Sequence, residues 1–266
     1  MKPCHRLLGL SALFLAMQSQ AATPGKDCDP AVLALLGKTL AVERFAPGPG
    51  LPGGDPAGVI VAASCKRQPD EPTHTLAAVA WDARQADSKA LVVAVVDDAA
   101  RSVLALLRDE IDDAAPLQVN NGSLRLDTAP YTLAPGVRAF GLDVFHSDGS
   151  CGEGGSGPVR TLYVREGRTL RPVLAGLTLS EWQYLQGNQP RCTAPGETAP
   201  AILEDVDVTI GLGAPGQGGW RDLVLTATSR RSDHQPGRRP LRVTLPYDGR
   251  AYPLAAFDKA WQRWRR

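Results

Sequence analysis

Residues that could support catalysis cluster around His146, which stands at the end of a predicted strand. Asp148 follows two positions later, and Ser150 and Ser156 lie in the glycine-rich stretch beyond it. A serine nucleophile, a histidine base and a carboxylate together carry out acyl transfer in hydrolases. A working triad needs a rigid nucleophile and a buried carboxylate, whereas these residues share one glycine-rich loop without a Gly-x-Ser-x-Gly elbow. The pattern favours a solvated histidine. We therefore expect a non-catalytic binding protein of the cell envelope, and a periplasmic hydrolase centred on His146 is the alternative function.

Other catalytic and metal-binding patterns find little support in the sequence. Carboxylates are paired at 97–98, 109–110 and 112–113, but neighbours on a strand point to opposite faces of a sheet. The glycine-rich stretches lack the Gly-x-x-x-x-Gly-Lys-Ser/Thr pattern of phosphate-binding loops. No Cys-x-x-Cys or His-x-x-x-His spacing is present to bind zinc. We therefore predict no metal and no cofactor.

The N-terminus has the three parts of a secretory signal peptide. Lys2 and Arg6 form a basic start, residues 7–17 are apolar, and Ser19-Gln20-Ala21 fits a small-x-small cleavage site. The apolar run is shorter than the roughly 20 residues that a bilayer-spanning helix needs. The sequence therefore predicts a signal peptide at 1–21, cleavage near Ala21, and export to the periplasm without a transmembrane segment.

The mature chain predicted by this cleavage retains four cysteines. Cys4 leaves with the signal peptide, and an even number of cysteines in an oxidising compartment indicates disulfides. Three pairings are open. We favour Cys28 with Cys65 and Cys151 with Cys192, because each pair closes a moderate loop around a segment rich in proline and glycine.

Charge is balanced overall and uneven along the chain. Lysine and arginine number 29 against 28 aspartates and glutamates, a net charge of +1, which argues against nucleic acid as a partner. Residues 229–266, however, hold ten basic residues against three acidic ones. This segment predicts a basic surface that binds another envelope protein or an anionic envelope component. The predicted binding residues are Arg230, Arg231, Arg238 and Arg239.

Three segments share one hairpin-like pattern of an apolar run, a polar turn, an arginine and a second apolar run. They span residues 91–107, 161–174 and 241–254. In the first segment, residues 99–112 also show apolar spacing typical of a helix. We prefer a strand there, because the other two turns carry the glycine signal of β-hairpins.

The remaining chain reads as short strands separated by turn residues, which is typical of an all-β fold. We predict antiparallel hairpins in a sandwich or an incomplete propeller-like arrangement, with short N- and C-terminal helices. The mature chain, 22–266, is one β-rich domain with a candidate lobe boundary near 187–200. Trp261 and Trp264 should dock the C-terminal helix on the domain, in preference to a membrane surface. Predicted strands lie at 59–65, 73–81, 123–126, 137–146, 201–211 and 222–229, helices at 31–40 and 255–264, and a helical turn at 180–185.

Four segments resemble exported bacterial proteins: SLRLDTAPYTLAPGVRAFGLDV, TLYVREGRTLRPVL, GWRDLVLTATS and YDGRAY. The third is also similar to FG-GAP-type propeller strands, which carry a Gly-x-x-Asp-Leu turn, although the acidic calcium loop of that family is absent. The resemblance implies export and a β fold, and it implies no activity.

Overall fold

The computed structural model describes residues 28–48, 57–85, 87–114, 117–148, 154–187 and 201–266. Two α-helices occur in these ranges, α1 (Pro30–Leu40) and α2 (Ala255–Arg265), together with a short 3-10 helix at Gln217–Gly219. The strands are β1 (Ala46–Pro47), β2 (Val59–Gln68), β3 (Glu71–Trp81), β4 (Ser88–Asp97), β5 (Ser102–Asp112), β6 (Leu117–Gln118), β7 (Leu124–Ala134), β8 (Val137–Val144), β9 (Ser147–Asp148), β10 (Gly154–Ser156), β11 (Val159–Glu166), β12 (Thr169–Thr178), β13 (Ser180–Gln186), β14 (Ile202–Pro215), β15 (Arg221–Arg231) and β16 (Leu241–Leu245). The predicted all-β fold class is confirmed.

Nine strands form a curled mixed sheet in the order β1-β2-β3-β4-β5-β12-β11-β8-β7. Its pairs are antiparallel except β1 with β2 and β5 with β12, which are parallel. The curl brings β7 back towards β2, where the Leu126 amide donates a hydrogen bond to Ser64 Oγ at 3.3 Å. Small and branched side chains fill the interior of the curl, among them Ala62, Leu76, Ala78, Val93, Val95 and Leu142.

Helix α1 covers the outer face of this sheet. Asp29 caps the helix by accepting a hydrogen bond from the Ala31 amide at 2.8 Å, and Pro30 takes the first helical position. Leu33 and Leu36 of the helix pack against Val79 and other residues of the central strands. Cys28, directly before the helix, is joined to Cys65 on β2, which is the first pairing that the sequence favours.

A second sheet of five antiparallel strands has the order β10-β13-β14-β15-β16. It packs face to face with one half of the curled sheet, because Leu162 and Leu177 share a buried core with Leu223 and Leu225. The described residues therefore form two packed sheets, one curled and mixed and the other antiparallel. Within those residues, no helix is long and apolar enough to cross a membrane.

Two of the three predicted hairpins are present, and the third is wrong. The pairs β4–β5 and β11–β12 are hairpins, so the choice of a strand within residues 99–112 is confirmed. After β16, Asp248 caps a tight turn by accepting hydrogen bonds from the amides of Arg250 and Ala251 at 2.8 Å. The chain then crosses to the other sheet, where the Tyr252 amide donates to the Val173 carbonyl at 2.7 Å.

Two further predictions are corrected. The predicted helical turn at 180–185 is strand β13, because the segment pairs with both β10 and β14. The predicted break after Leu126 is absent, since β7 continues to Ala134. Pro130 is tolerated there because β7 is the last strand of its sheet and the register shifts between Asp127 and Tyr131. The predictions for Cys151, Cys192, the signal peptide and 188–200 lie outside the described residues.

Candidate functional site

His146 is tethered to the end of a neighbouring strand. Its Nε2 atom lies 3.1 Å from the Asp112 carbonyl oxygen, and because a carbonyl only accepts, Nε2 is the donor. Asp148 belongs to β9, and Ser150 lies outside the described residues. Ser156 sits on β10, where it pairs with Glu181 of β13. The described contacts bring neither a serine nor a carboxylate to the His146 ring, and the hydrolase stays a prediction.

Three of the four predicted binding arginines are engaged in ion pairs within the domain. Arg230 contacts Asp207 at 3.0 Å, and Arg231 contacts Asp233 at 2.6 Å. Arg238 contacts Glu204 at 3.1 Å. The carbonyl of Arg239, the fourth, accepts a hydrogen bond from the Trp264 indole at 2.6 Å, while its exposed side chain has no ion pair among the described residues.

Glu204 on β14 is the centre of the network that holds this region together. Its carboxylate is 3% exposed and accepts four hydrogen bonds, two at each oxygen. Ser229 (2.7 Å) and Arg238 (3.1 Å) donate to Oε1, and Gln183 (2.8 Å) and Arg265 (3.3 Å) donate to Oε2. We call these five residues the Glu204 clasp.

Every hydrogen-bonding site of the carboxylate in the clasp is used. Burial raises the pKa of Glu204, but the Ser229 hydrogen bond and the Arg238 charge outweigh it, and the net pKa is lowered. Glu204 is therefore held as a carboxylate between two guanidinium groups. Because Arg238 precedes β16 and Arg265 ends α2, the clasp ties the basic loop and the helix to the five-stranded sheet.

Helix α2 is also anchored by aromatic side chains. Phe257 is buried, and Trp261 and Trp264 pack against the core between the sheets. The Arg238 guanidinium lies 5.8 Å from the Trp264 ring centre, and Arg265 lies at the same distance from Trp261. The predicted docking of this aromatic face on the domain is therefore observed.

The opposite side of α2 and the residue that follows the helix carry three exposed cations. Lys259 and Arg263 are about one helical turn apart and lie on one face of α2, and Arg266 directly follows the last helical residue. No ion pair or hydrogen bond joins their side chains to any residue that the structure describes. We call them the cationic stripe. The predicted binding surface was the preceding basic segment, although the helical spacing of Lys259 and Arg263 is also visible in the sequence.

A second buried network lies within the curled sheet and is structural. Asp143 on β8 is fully buried and accepts hydrogen bonds from Arg125 on β7 and Arg160 on β11. Arg160 also contacts Asp127, which accepts a hydrogen bond from the Tyr131 hydroxyl at 2.8 Å. These groups satisfy one another across three strands. In the part of the chain that the structure describes, no group of three or more His, Cys, Asp or Glu residues could hold a metal ion.

Comparison with protein-family models finds no match for this chain. No curated protein and no solved structure matches it either. The resemblance to exported bacterial proteins and to FG-GAP strands stays a prediction.

Proposed function

We propose that this protein is an exported, non-catalytic binding domain of the bacterial cell envelope, located in the periplasm after cleavage near Ala21. Its partner is an anionic envelope component, held by the cationic stripe together with Arg239. The observation that carries the proposal is the stripe itself, two exposed cations on one face of α2 and a third directly after the helix, none of which has an ion-pair partner among the described residues. Guanidinium groups bind phosphate and carboxylate through two parallel hydrogen bonds, which makes an anionic partner the matching one.

The anchoring of α2 supports a binding role for the stripe. The Glu204 clasp and the two tryptophans fix one side of the helix, so the cations on the other side project from a fixed surface. A pre-ordered surface loses less conformational entropy on binding than a mobile one. The neighbouring Arg239 adds a fourth cation beside the C-terminal end of the helix, where its carbonyl receives the Trp264 indole.

The ion pairs at the end of β15 and in the loop that follows it reduce the number of arginines available to a partner. Arg230, Arg231 and Arg238 already have carboxylate partners, and binding an external anion would compete with those contacts. Arg238 is the least available of the three because its partner is buried. The stripe and Arg239 are free of this competition within the described residues.

Charge reversal on α2 tests the proposal. In the variant K259E/R263E/R266E, capture of the partner from envelope extract by in-situ crosslinking should be lost at low salt. The wild-type protein should capture less at physiological salt, where the screening length is about 8 Å. The matched control K38E/K66E/R168E makes the same change in net charge at exposed lysines and an arginine elsewhere. Equal loss of capture in both variants, or none in either, would refute a role for the stripe.

A further inference from the structure

One end of the curled sheet opens into a cleft framed by three tight turns. The turns join β2 to β3, β7 to β8 and β11 to β12, and the cleft between them has a volume of about 520 Å³. Binding sites for small molecules have volumes of roughly 300–1,000 Å³ and are often found at such openings. The cleft lies in the nine-stranded sheet, whereas the cationic stripe lies on the helix beside the five-stranded sheet.

The floor of the cleft is the end of the apolar interior of the curl. Val95 and Phe140 line it, and both are at least nine-tenths buried. Phe140 packs against Tyr163 with their ring centres 5.8 Å apart. Below them the interior is filled by buried residues such as Leu76 and Leu142. A ligand can therefore rest on this floor but cannot enter the sheet.

Two arginines point towards the rim of the cleft, because side chains alternate between the two faces of a strand up to its end. Arg138 precedes Phe140 by two positions on β8, and Arg165 follows Tyr163 by two on β11, so each lies on the interior face. Arg138 is held by Asp70 and by the Thr128 carbonyl at 3.0 Å. Arg165 is oriented by a hydrogen bond from Nε to the Gly167 carbonyl at 3.1 Å.

Two acids and two arginines line the cleft, and Arg165 is the arginine that has no ion pair among the described residues. Asp70 neutralises Arg138, and Glu71 lies against the His74 ring. Arg165 forms no ion pair with any described residue, and its two terminal nitrogens have no hydrogen bond there. An oriented guanidinium above an apolar floor is the arrangement that binds a carboxylate attached to an apolar body.

We propose that this cleft binds a small monocarboxylate with an apolar body, whose carboxylate pairs with Arg165 and whose body rests on Val95 and Phe140. Inorganic anions have no apolar part that could pack on Val95 and Phe140, and neutral apolar molecules have no charge that could pair with the Arg165 guanidinium. The site is independent of the proposed docking surface on α2.

The experiment compares phenylacetate with its uncharged isostere phenylacetamide, by titration calorimetry and by amide chemical shifts of the three turns. Phenylacetate should bind the wild-type protein and shift the signals of the turns, and phenylacetamide should bind about tenfold more weakly or worse. Arg165→Gln should weaken phenylacetate binding by about tenfold or more. Arg168→Gln is the matched control, because it removes an exposed arginine from the same turn that does not line the cleft.

Three results would overturn the proposal: no phenylacetate binding, equal affinity for the amide, or equal effects of the two arginine substitutions. The K259E/R263E/R266E variant should bind phenylacetate like the wild type, so failure of the docking proposal and failure of this one are separate outcomes.

Discussion

Replacing Glu204 by glutamine should destabilise the fold, because it converts one buried carboxylate into a neutral amide. The amide keeps one oxygen acceptor and places an NH₂ donor against the other pair of donors. Because the amide is neutral, Arg238 and Arg265 both lose the charge of Glu204, and among the described contacts Arg265 alone keeps a second carboxylate, that of Glu181 at 3.5 Å. Removing one partner of a buried ion pair costs about 3–5 kcal/mol. Arg238 and Arg265 are 28% and 18% exposed, and partial rehydration lowers the expected loss to about 2–4 kcal/mol.

Thermal and urea unfolding measure the effect of Glu204→Gln. For a chain of this size we expect a midpoint lower by about 5–12 °C. The pH dependence adds a second criterion. Because the pKa of Glu204 is lower in the folded protein than its ordinary value of 4.5, its stabilisation is present above that pH. It disappears as the pH falls through the lowered pKa, so wild type and variant should converge in acid.

The control for this experiment is Asp207→Asn, which breaks the pair with Arg230. Those side chains are 49% and 74% exposed, and the expected loss is at most about 1 kcal/mol. Hydrogen exchange should speed up first at 255–265 in Glu204→Gln, because the clasp holds α2. A loss below about 1 kcal/mol, or a difference from wild type that persists in acid, would refute the assignment of Glu204 as the centre of the clasp.

Three further outcomes are expected. Arg101 has a φ of +47°, a backbone conformation that glycine adopts more easily than other residues. Arg101→Gly should therefore raise the free energy of unfolding by about 0.5–1 kcal/mol, and a lower urea midpoint would contradict this. The double variant C28S/C65S removes a disulfide between residues 37 positions apart, and its free energy of unfolding should be about 3–4 kcal/mol lower in the same assay. Burial raises the pKa of Tyr131 and of Tyr163 to about 12. Stability should therefore fall as the pH rises above about 10, where the unfolded chain loses these protons first, and absorbance at alkaline pH should show both phenols still protonated in the folded protein.

The ambiguous segment 99–112 shows why local periodicity was insufficient. Strand β5 contains a register shift opposite Val95 and Val96, so two consecutive residues, Leu104 and Ala105, both contact the interior core. Val103 and Leu106, three positions apart, both face α1. A bulged strand that is covered on both faces thus has the apolar spacing of a helix. Only the pairing with β4 shows that residues 102–112 form a strand and not a helix.

Tertiary contacts also overrode local signals at two of the three segments where the predictions were wrong. Residues 180–186 form strand β13 because β10 and β14 supply hydrogen-bonding partners on both of its edges. Trp182 and Tyr184 therefore lie on one side of the strand, with their ring centres 5.8 Å apart. In the last hairpin-like segment, the Asp-Gly turn forms as its residues predict. The chain beyond it leaves the sheet because Tyr247 stacks on Trp220 and Tyr252 enters the shared core.

The all-β class, both helices and the first two hairpins were predictable from the sequence, because turn glycines, helix caps and alternation act locally. The pairing of Cys28 with Cys65 was favoured by the moderate loop that it closes. Which arginines remain available for a partner depended on the tertiary structure. Arg238 became structural when folding brought it to Glu204, 34 positions away, while Arg263 and Arg165 stayed without an ion pair among the described residues. Charge composition predicts a basic surface, but the packing of strands distant in sequence determines which charges are neutralised within the domain.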